Sequence, residues 1–64
     1  MGLLDEKTIL VTGGSTGIGR ATAQILSREG ARVIIADVQD KEGHETVSLI
    51  KEDGGIAEYH NVDV

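Results

Sequence analysis

The chain contains no cysteine, no phenylalanine and no tryptophan, and only one tyrosine among its 64 residues. Without cysteine there is no disulfide, and no cysteine/histidine cluster is present to hold a structural metal. Both of the usual staples of small folds are therefore excluded. The core has to be built from aliphatic side chains, in a chain near the lower size limit for an independent domain. Positive charge is also scarce: six Lys and Arg against eleven Asp and Glu give a formal charge of −5. That balance argues against a nucleic-acid partner, because phosphates would be repelled except at a local basic patch. Arg20, Arg28 and Arg32 are too scattered to make one. No apolar run approaches the length of a membrane span, and no basic-then-apolar leader is seen. Met1-Gly2 raises the question of myristoylation, but Glu6 stands where that signal wants Ser or Thr. The expectation is no membrane partner and, by default, a cytoplasmic location.

What is abundant is glycine, and four glycines fall in one stretch, Thr12-Gly13-Gly14-Ser15-Thr16-Gly17-Ile18-Gly19, with those at positions 13, 17 and 19 setting the pattern. Ile9-Leu10-Val11 precedes it. Behind it, Ile18, Ala21, Thr22, Ile25 and Leu26 recur at helical spacing. A strand is thus expected to run into a glycine-rich turn that opens directly into a helix. The first turn of a helix has backbone N–H groups without internal partners and carries partial positive charge. Such a turn is an anion site, with phosphate or pyrophosphate as the usual guest. A Walker A loop would end in Gly-Lys-Ser/Thr, and here Gly19 is followed by Arg20 and Ala21, so that reading fails.

Along the chain, the first strand is expected at about 7–12, with Leu3 and Leu4 available to cover its end. The first helix should run from about Gly17 to Glu29 and stop at Gly30, which suits a left-handed cap. Arg32 to Asp37 reads as a second strand. It is continuously apolar at its centre, as when both sheet faces are covered. A second helix should begin after Asp40, a good N-cap residue, and continue to about Asp53 with a thin apolar stripe of Val47 and Ile50. Gly43 in its first turn weakens it. Gly54-Gly55 ends this helix, and Ile56 to Asn61 forms the third strand.

The order is β-α-β-α-β, an α/β chain. Right-handed crossovers in one direction give a parallel sheet of strand order 3-2-1 with both helices on one face. This is a Rossmann-type half of a doubly wound sheet. Its other face would be bare, yet neighbours in Ile9-Leu10-Val11 and Val33-Ile34-Ile35 must point to opposite faces. Three such strands present roughly 240 Å² in projection. An apolar face of that kind implies either a missing carboxyl-terminal part or self-association.

With these residues in view, the chain resembles the amino-terminal part of a short-chain dehydrogenase/reductase. That family carries Thr-Gly-x-x-x-Gly-Ile-Gly, and Thr12 to Gly19 match each fixed position. The resemblance covers residues 1–64, about a quarter of a family member, as part of a dinucleotide-binding domain. It implies that Gly13, Gly17 and Gly19 shape the loop and that the Ile18 N–H meets the pyrophosphate while its side chain packs in the core. Ser15 and Thr16 either donate hydroxyls to phosphate or ribose or simply form the turn. Asp37, closing the second strand, would accept hydrogen bonds from the adenosine ribose hydroxyls and repel a 2′-phosphate. Val38 and the loop residues 14–16 offer no basic side chain, so NAD is expected over NADP. Asp63 and Val64 would meet the edge of adenine.

The family's catalytic Tyr-x-x-x-Lys pair is absent: four residues after Tyr59 stands Asp63. Tyr59 therefore reads as a strand residue, and no catalytic residue is assigned. His44, His60 and Ser48 have no partner in sequence that would make them ligands, bases or nucleophiles. The resemblance implies a homo-oligomeric NAD-dependent oxidoreductase as the parent, exchanging hydride between nicotinamide and a carbonyl or hydroxyl carbon, with this stretch alone inactive. Two other readings remain. One is a stand-alone module for NAD or ADP-ribose without catalysis. The other is a methyltransferase-type nucleoside site, with which Thr12 and the 13-17-19 spacing disagree.

Overall fold

The computed structural model describes residues 4–63. The elements follow the expected order: β1 (Thr8–Thr12), α1 (Gly17–Arg28), β2 (Arg32–Asp37), α2 (Asp40–Glu52) and β3 (Ile56–Asn61). The three strands form one parallel sheet in the order β1-β2-β3, with β2 in the centre. Registers run Thr8–Arg32–Ile56 at one end and Thr12–Ala36–His60 at the other. The carboxyl ends of all three strands therefore lie together.

Alternation along the strands separates two sets of residues. Val33, Ile35 and Ala57 join Ala23 of α1 and Val47 and Ile50 of α2 in one buried cluster, with Ile9, Val11, Leu26 and Tyr59 packed against it. Leu4 also reaches this cluster, and its N–H donates to the Glu29 carbonyl at 2.8 Å. Leu3 lies outside the described residues. The intervening positions are open: Leu10 is 61% exposed and Ile56 59%, with Ile34 half-buried between them. Arg32, Glu58 and His60 share that alternation and are exposed, so this second set is less apolar than strands one and two suggest by themselves.

Both helices end as the glycines predict. Gly30 and Gly54 follow the last turns with φ of 99° and 87°, the left-handed region that a side chain disfavours. Two expectations need correction. The Ile18 side chain, expected in the core, is 87% exposed; of the other residues at helical spacing Ile25 is 58% exposed and Leu26 packs against the core, whereas Ala23 and Ser27 are buried. Small residues sit there because α1 lies close to β2 and α2, and Ile18 projects away from them rather than into the core. The N-cap of α2 is Gln39, not Asp40, and it makes no side-chain cap bond. Asp40 is the first helical residue, and its carboxylate turns instead toward β3.

Gly43 also has a packing reason. A Cβ at this position would overlap the Tyr59 ring, so the helix accepts a poor helix former to let the aromatic ring lie against it. The His44 ring packs against it at a tilt, with centroids 4.9 Å apart.

Candidate functional site

At the carboxyl end of the sheet, β1 runs into the turn that opens α1. The Gly13 N–H donates to the Ala36 carbonyl at 2.9 Å, which ties the start of the turn to the end of β2. Gly13 and Gly17 have φ of 69° and 58°, and nothing lies within 4 Å of a Cβ built on either one. The turn thus needs glycine for its backbone and leaves open space above it. Gly19 serves differently: a Cβ there would collide with the Gly13 carbonyl, so the first turn of α1 can sit on the loop only without a side chain.

The N-terminus of α1 is suited to an anion. Its N-cap, Thr16, makes no side-chain bond to the first turn, no acidic residue occupies that turn, and the first intrahelical bond runs from Arg20 N to Thr16 O. The amides of Gly17, Ile18 and Gly19 precede that bond and have no intrahelical partner. In α2, by contrast, Asp40 and Glu42 already offset the dipole in the first turn.

A cleft of about 390 Å³ adjoins the loop and is lined by Thr12, Gly13, Ala36, Asp37, Val38, Val62 and Asp63. Three sequence-predicted site residues, Gly13, Asp37 and Asp63, are brought together in it. Thr16, Gly17 and Ile18 lie exposed beside it on the loop and the first turn, with Gly19 partly covered. Val64 lies outside the described residues. The Val62 N–H donates to the Asp37 carbonyl at 2.9 Å, which fixes the approach of the chain to Asp63.

Ser15 is placed inward. It is fully buried, with its hydroxyl 3.4 Å from the Gln39 carbonyl. The Asp37 carboxylate is held below its ordinary range, first by the Val38 N–H 2.6 Å from Oδ1 and then by the Ser15 hydroxyl. Asp37 is thus an anion over the whole neutral range, with its local amides already oriented around it.

Three residues that the sequence reading left unassigned, or read as plain structure, organise this region. Arg20 Nε lies 2.8 Å from Thr46 Oγ1 and 3.0 Å from the Ser15 carbonyl, and Thr46 Oγ1 donates to that same carbonyl at 2.8 Å. Arg20 Nη2 continues to the Glu42 carbonyl at 3.0 Å and to Glu45 at 3.4 Å. The Tyr59 hydroxyl sits 2.8 Å from the Asp37 carbonyl and 2.7 Å from Asp40 Oδ1, which also accepts from Asn61 Nδ2 at 2.7 Å. Removal from water, then the Asp40 contact, pushes the Tyr59 hydroxyl up to about 12. The Asn61 amide and then the Tyr59 hydroxyl pull the Asp40 carboxyl down. None of the three is announced by a motif or by periodicity. The partners of Arg20 and Tyr59 lie 19 or more residues away along the chain, apart from the Ser15 carbonyl five residues from Arg20.

His60 pairs with Glu58 at 3.3 Å on the surface, and among the described residues no group of His, Cys, Asp and Glu is placed to hold a metal. No helix among them is long and apolar enough to cross a membrane.

Comparison with known proteins fits this geometry. Residues 7–64 match the family described as short chain dehydrogenase. An uncharacterised oxidoreductase of Bacillus subtilis, YxbG, is 50% identical over 64 residues, all of this chain and 23% of its own length. Among solved structures, the citronellol catabolism dehydrogenase AtuB of Pseudomonas aeruginosa superposes with a TM-score of 0.94 at 44% identity, covering 97% of this chain and 26% of that one. A metagenomic short-chain oxidoreductase in complex with NADP gives 0.90 at 37% identity, over 94% of this chain and 27% of that one. The chain thus spans about a quarter of the length of the relatives it matches. On the family match over residues 7–64, the chain belongs to the short-chain dehydrogenases.

Proposed function

We propose that residues 1–64 are the amino-terminal, NAD-binding portion of an oxidoreductase that exchanges hydride between nicotinamide and a carbonyl or hydroxyl carbon. The observation that carries this reading is the single cleft joining Gly13, Asp37 and Asp63 beside the open glycine turn. Gly13, Gly17, Ile18 and Gly19 would receive the pyrophosphate on the α1 amides, with the Thr16 hydroxyl at their edge. The Asp37 carboxylate would accept from both ribose hydroxyls, and Asp63 with Val64 would border the adenine. Ser15 would act from below, through its contact with Asp37, rather than on the phosphate. When bound, the nicotinamide supplies the hydride chemistry; these residues bind and orient the dinucleotide and move no proton. Tyr59 has its hydroxyl engaged with Asp37 and Asp40, which supports leaving it out of catalysis.

The choice of NAD rests on Asp37, since one neighbour is an NADP complex and family likeness leaves that choice open. A fixed carboxylate followed by apolar Val38 disfavours a 2′-phosphate. The exposed Leu10 and Ile56 on the strands favour the reading of a half-sheet, order 3-2-1 with both helices on one face, over a stand-alone module. The parent would be a cytoplasmic homo-oligomer. The test is Asp37→Ala in the intact protein, with NAD and NADP titrated calorimetrically. Loss of charge-assisted bonds to two hydroxyls should weaken NAD by roughly 10- to 100-fold and narrow the preference over NADP. Unchanged selectivity would remove the ribose assignment.

A further inference from the structure

We propose that Thr46 and Arg20 form a clamp from α2 and α1 that positions the Ser15–Thr16 peptide for the pyrophosphate, and that Thr46 is thereby a positioning residue of the cofactor site. The inference rests on the NAD-binding reading above. Three observations carry it. Thr46 is fully buried and lies on α2, which contributes no residue to the cleft. Its hydroxyl has one proton and two acceptors, the Ser15 carbonyl at 2.8 Å and the Glu42 carbonyl at 3.1 Å, of which the nearer is in the turn; it accepts from Arg20 Nε at 2.8 Å, and the same Nε–H reaches the Ser15 carbonyl at 3.0 Å. One carbonyl of the glycine turn therefore faces two donors.

The consequence follows from peptide planarity. In a trans peptide the C=O and the next N–H point to opposite sides. Drawing the Ser15 oxygen toward α2 turns the Thr16 N–H away from α2. It also removes a negative dipole end from the position an anion would approach. Without the clamp this peptide could rotate, and an outward carbonyl would oppose the phosphate. Arg20 is held for the task by the Glu42 carbonyl at 3.0 Å and by Glu45 at 3.4 Å, so its charge is directed at α2 rather than at the ligand. Its role is to hold the loop, not to bind the phosphate directly.

The test compares two probes that differ at the pyrophosphate. ADP-ribose spans the loop; adenosine occupies only the Asp37–Asp63 end of the cleft. Each is titrated into the intact protein and into its Thr46→Val and Thr46→Ser variants, well below the melting temperature of all three. Thr46→Val should weaken ADP-ribose about fivefold, the scale of one net hydrogen bond, and leave adenosine unchanged. Thr46→Ser, which keeps the hydroxyl, should restore ADP-ribose binding. Equal loss for both probes, no loss for either, or equal loss in the Ser variant would overturn the clamp. If the unaltered protein binds neither probe, the dinucleotide reading itself falls, and the clamp falls with it.

Discussion

Gly43→Ala should destabilise this protein, although the same change in an exposed helix interior is normally stabilising. Alanine exceeds glycine in helix propensity by about 1 kcal/mol, so α2 considered alone would gain. The new Cβ, however, falls on the Tyr59 ring. The ring cannot move aside freely, because its hydroxyl is fixed at 2.8 Å from the Asp37 carbonyl and 2.7 Å from Asp40, and the His44 ring lies against it with centroids 4.9 Å apart. Overpacking of this kind costs about 1–3 kcal/mol, which exceeds the propensity gain over most of its range. A net loss of about 1 kcal/mol is expected by urea denaturation. The discriminating step is the double-mutant cycle. In a Tyr59→Ala background the ring is gone, and Gly43→Ala should then stabilise by about 1 kcal/mol, a coupling of roughly 2 kcal/mol. A stabilising effect in the unaltered protein, or the same loss with and without the ring, would refute the packing argument.

Two further outcomes follow from the site. Gly13→Val should abolish dinucleotide binding in a titration, because position 13 requires φ of 69° and a branched side chain would fill the open space above the turn; wild-type affinity would place the pyrophosphate elsewhere. Asp37 and Asp40 both have carboxyls lowered in the folded state, so their contribution is present above the unfolded value of 3.8 and is lost as pH falls below it. Asp40→Asn should therefore flatten the acid limb of the stability profile below about pH 4, and an unchanged limb would show that the Tyr59–Asn61 contacts do not hold this carboxylate.

The strands, the helices and the loop were legible in the sequence because each is announced locally. Ile9-Leu10-Val11 before glycine gives β1, the φ-demanding Gly30 and Gly54 close the helices, and Val47 and Ile50 carry the buried stripe of α2. The cleft was legible for the same reason, since Gly13, Asp37 and Asp63 each stand at the end of a strand or just beyond it, and parallel strands bring those ends together. The supports of the cleft were not legible. Arg20 meets Thr46 across 26 residues and Tyr59 meets Asp37 across 22, and no periodicity encodes a polar pairing at such distance. Asp40 illustrates the cost of a local rule: its identity suits an N-cap, but Tyr59 and Asn61 together compete for the carboxylate and win it.

The outward placement of Ile18 has a related cause, and it bears on how the loop is held. Hydrophobic periodicity reports every apolar surface a helix presents, whatever lies opposite. On α1 the large residues Ile18 and Ile25 are exposed, and the buried side is made of Ala23 and Ser27 beside Gly19. Small residues there allow the helix to approach β2 and α2 closely, which brings Arg20 within reach of Thr46. Aliphatic burial between α1 and α2 is correspondingly thin, and the polar contacts of Arg20, Thr46 and Ser15 take over the registration of the loop. Among the described residues no buried side-chain nitrogen or oxygen lacks a partner. A buried polar network of that kind fixes geometry more sharply than apolar packing does, because any displacement leaves a desolvated group unpaired. On the NAD-binding reading, the amides of the glycine turn need that precision, and the turn receives it where the Ser15 carbonyl meets Thr46 and Arg20.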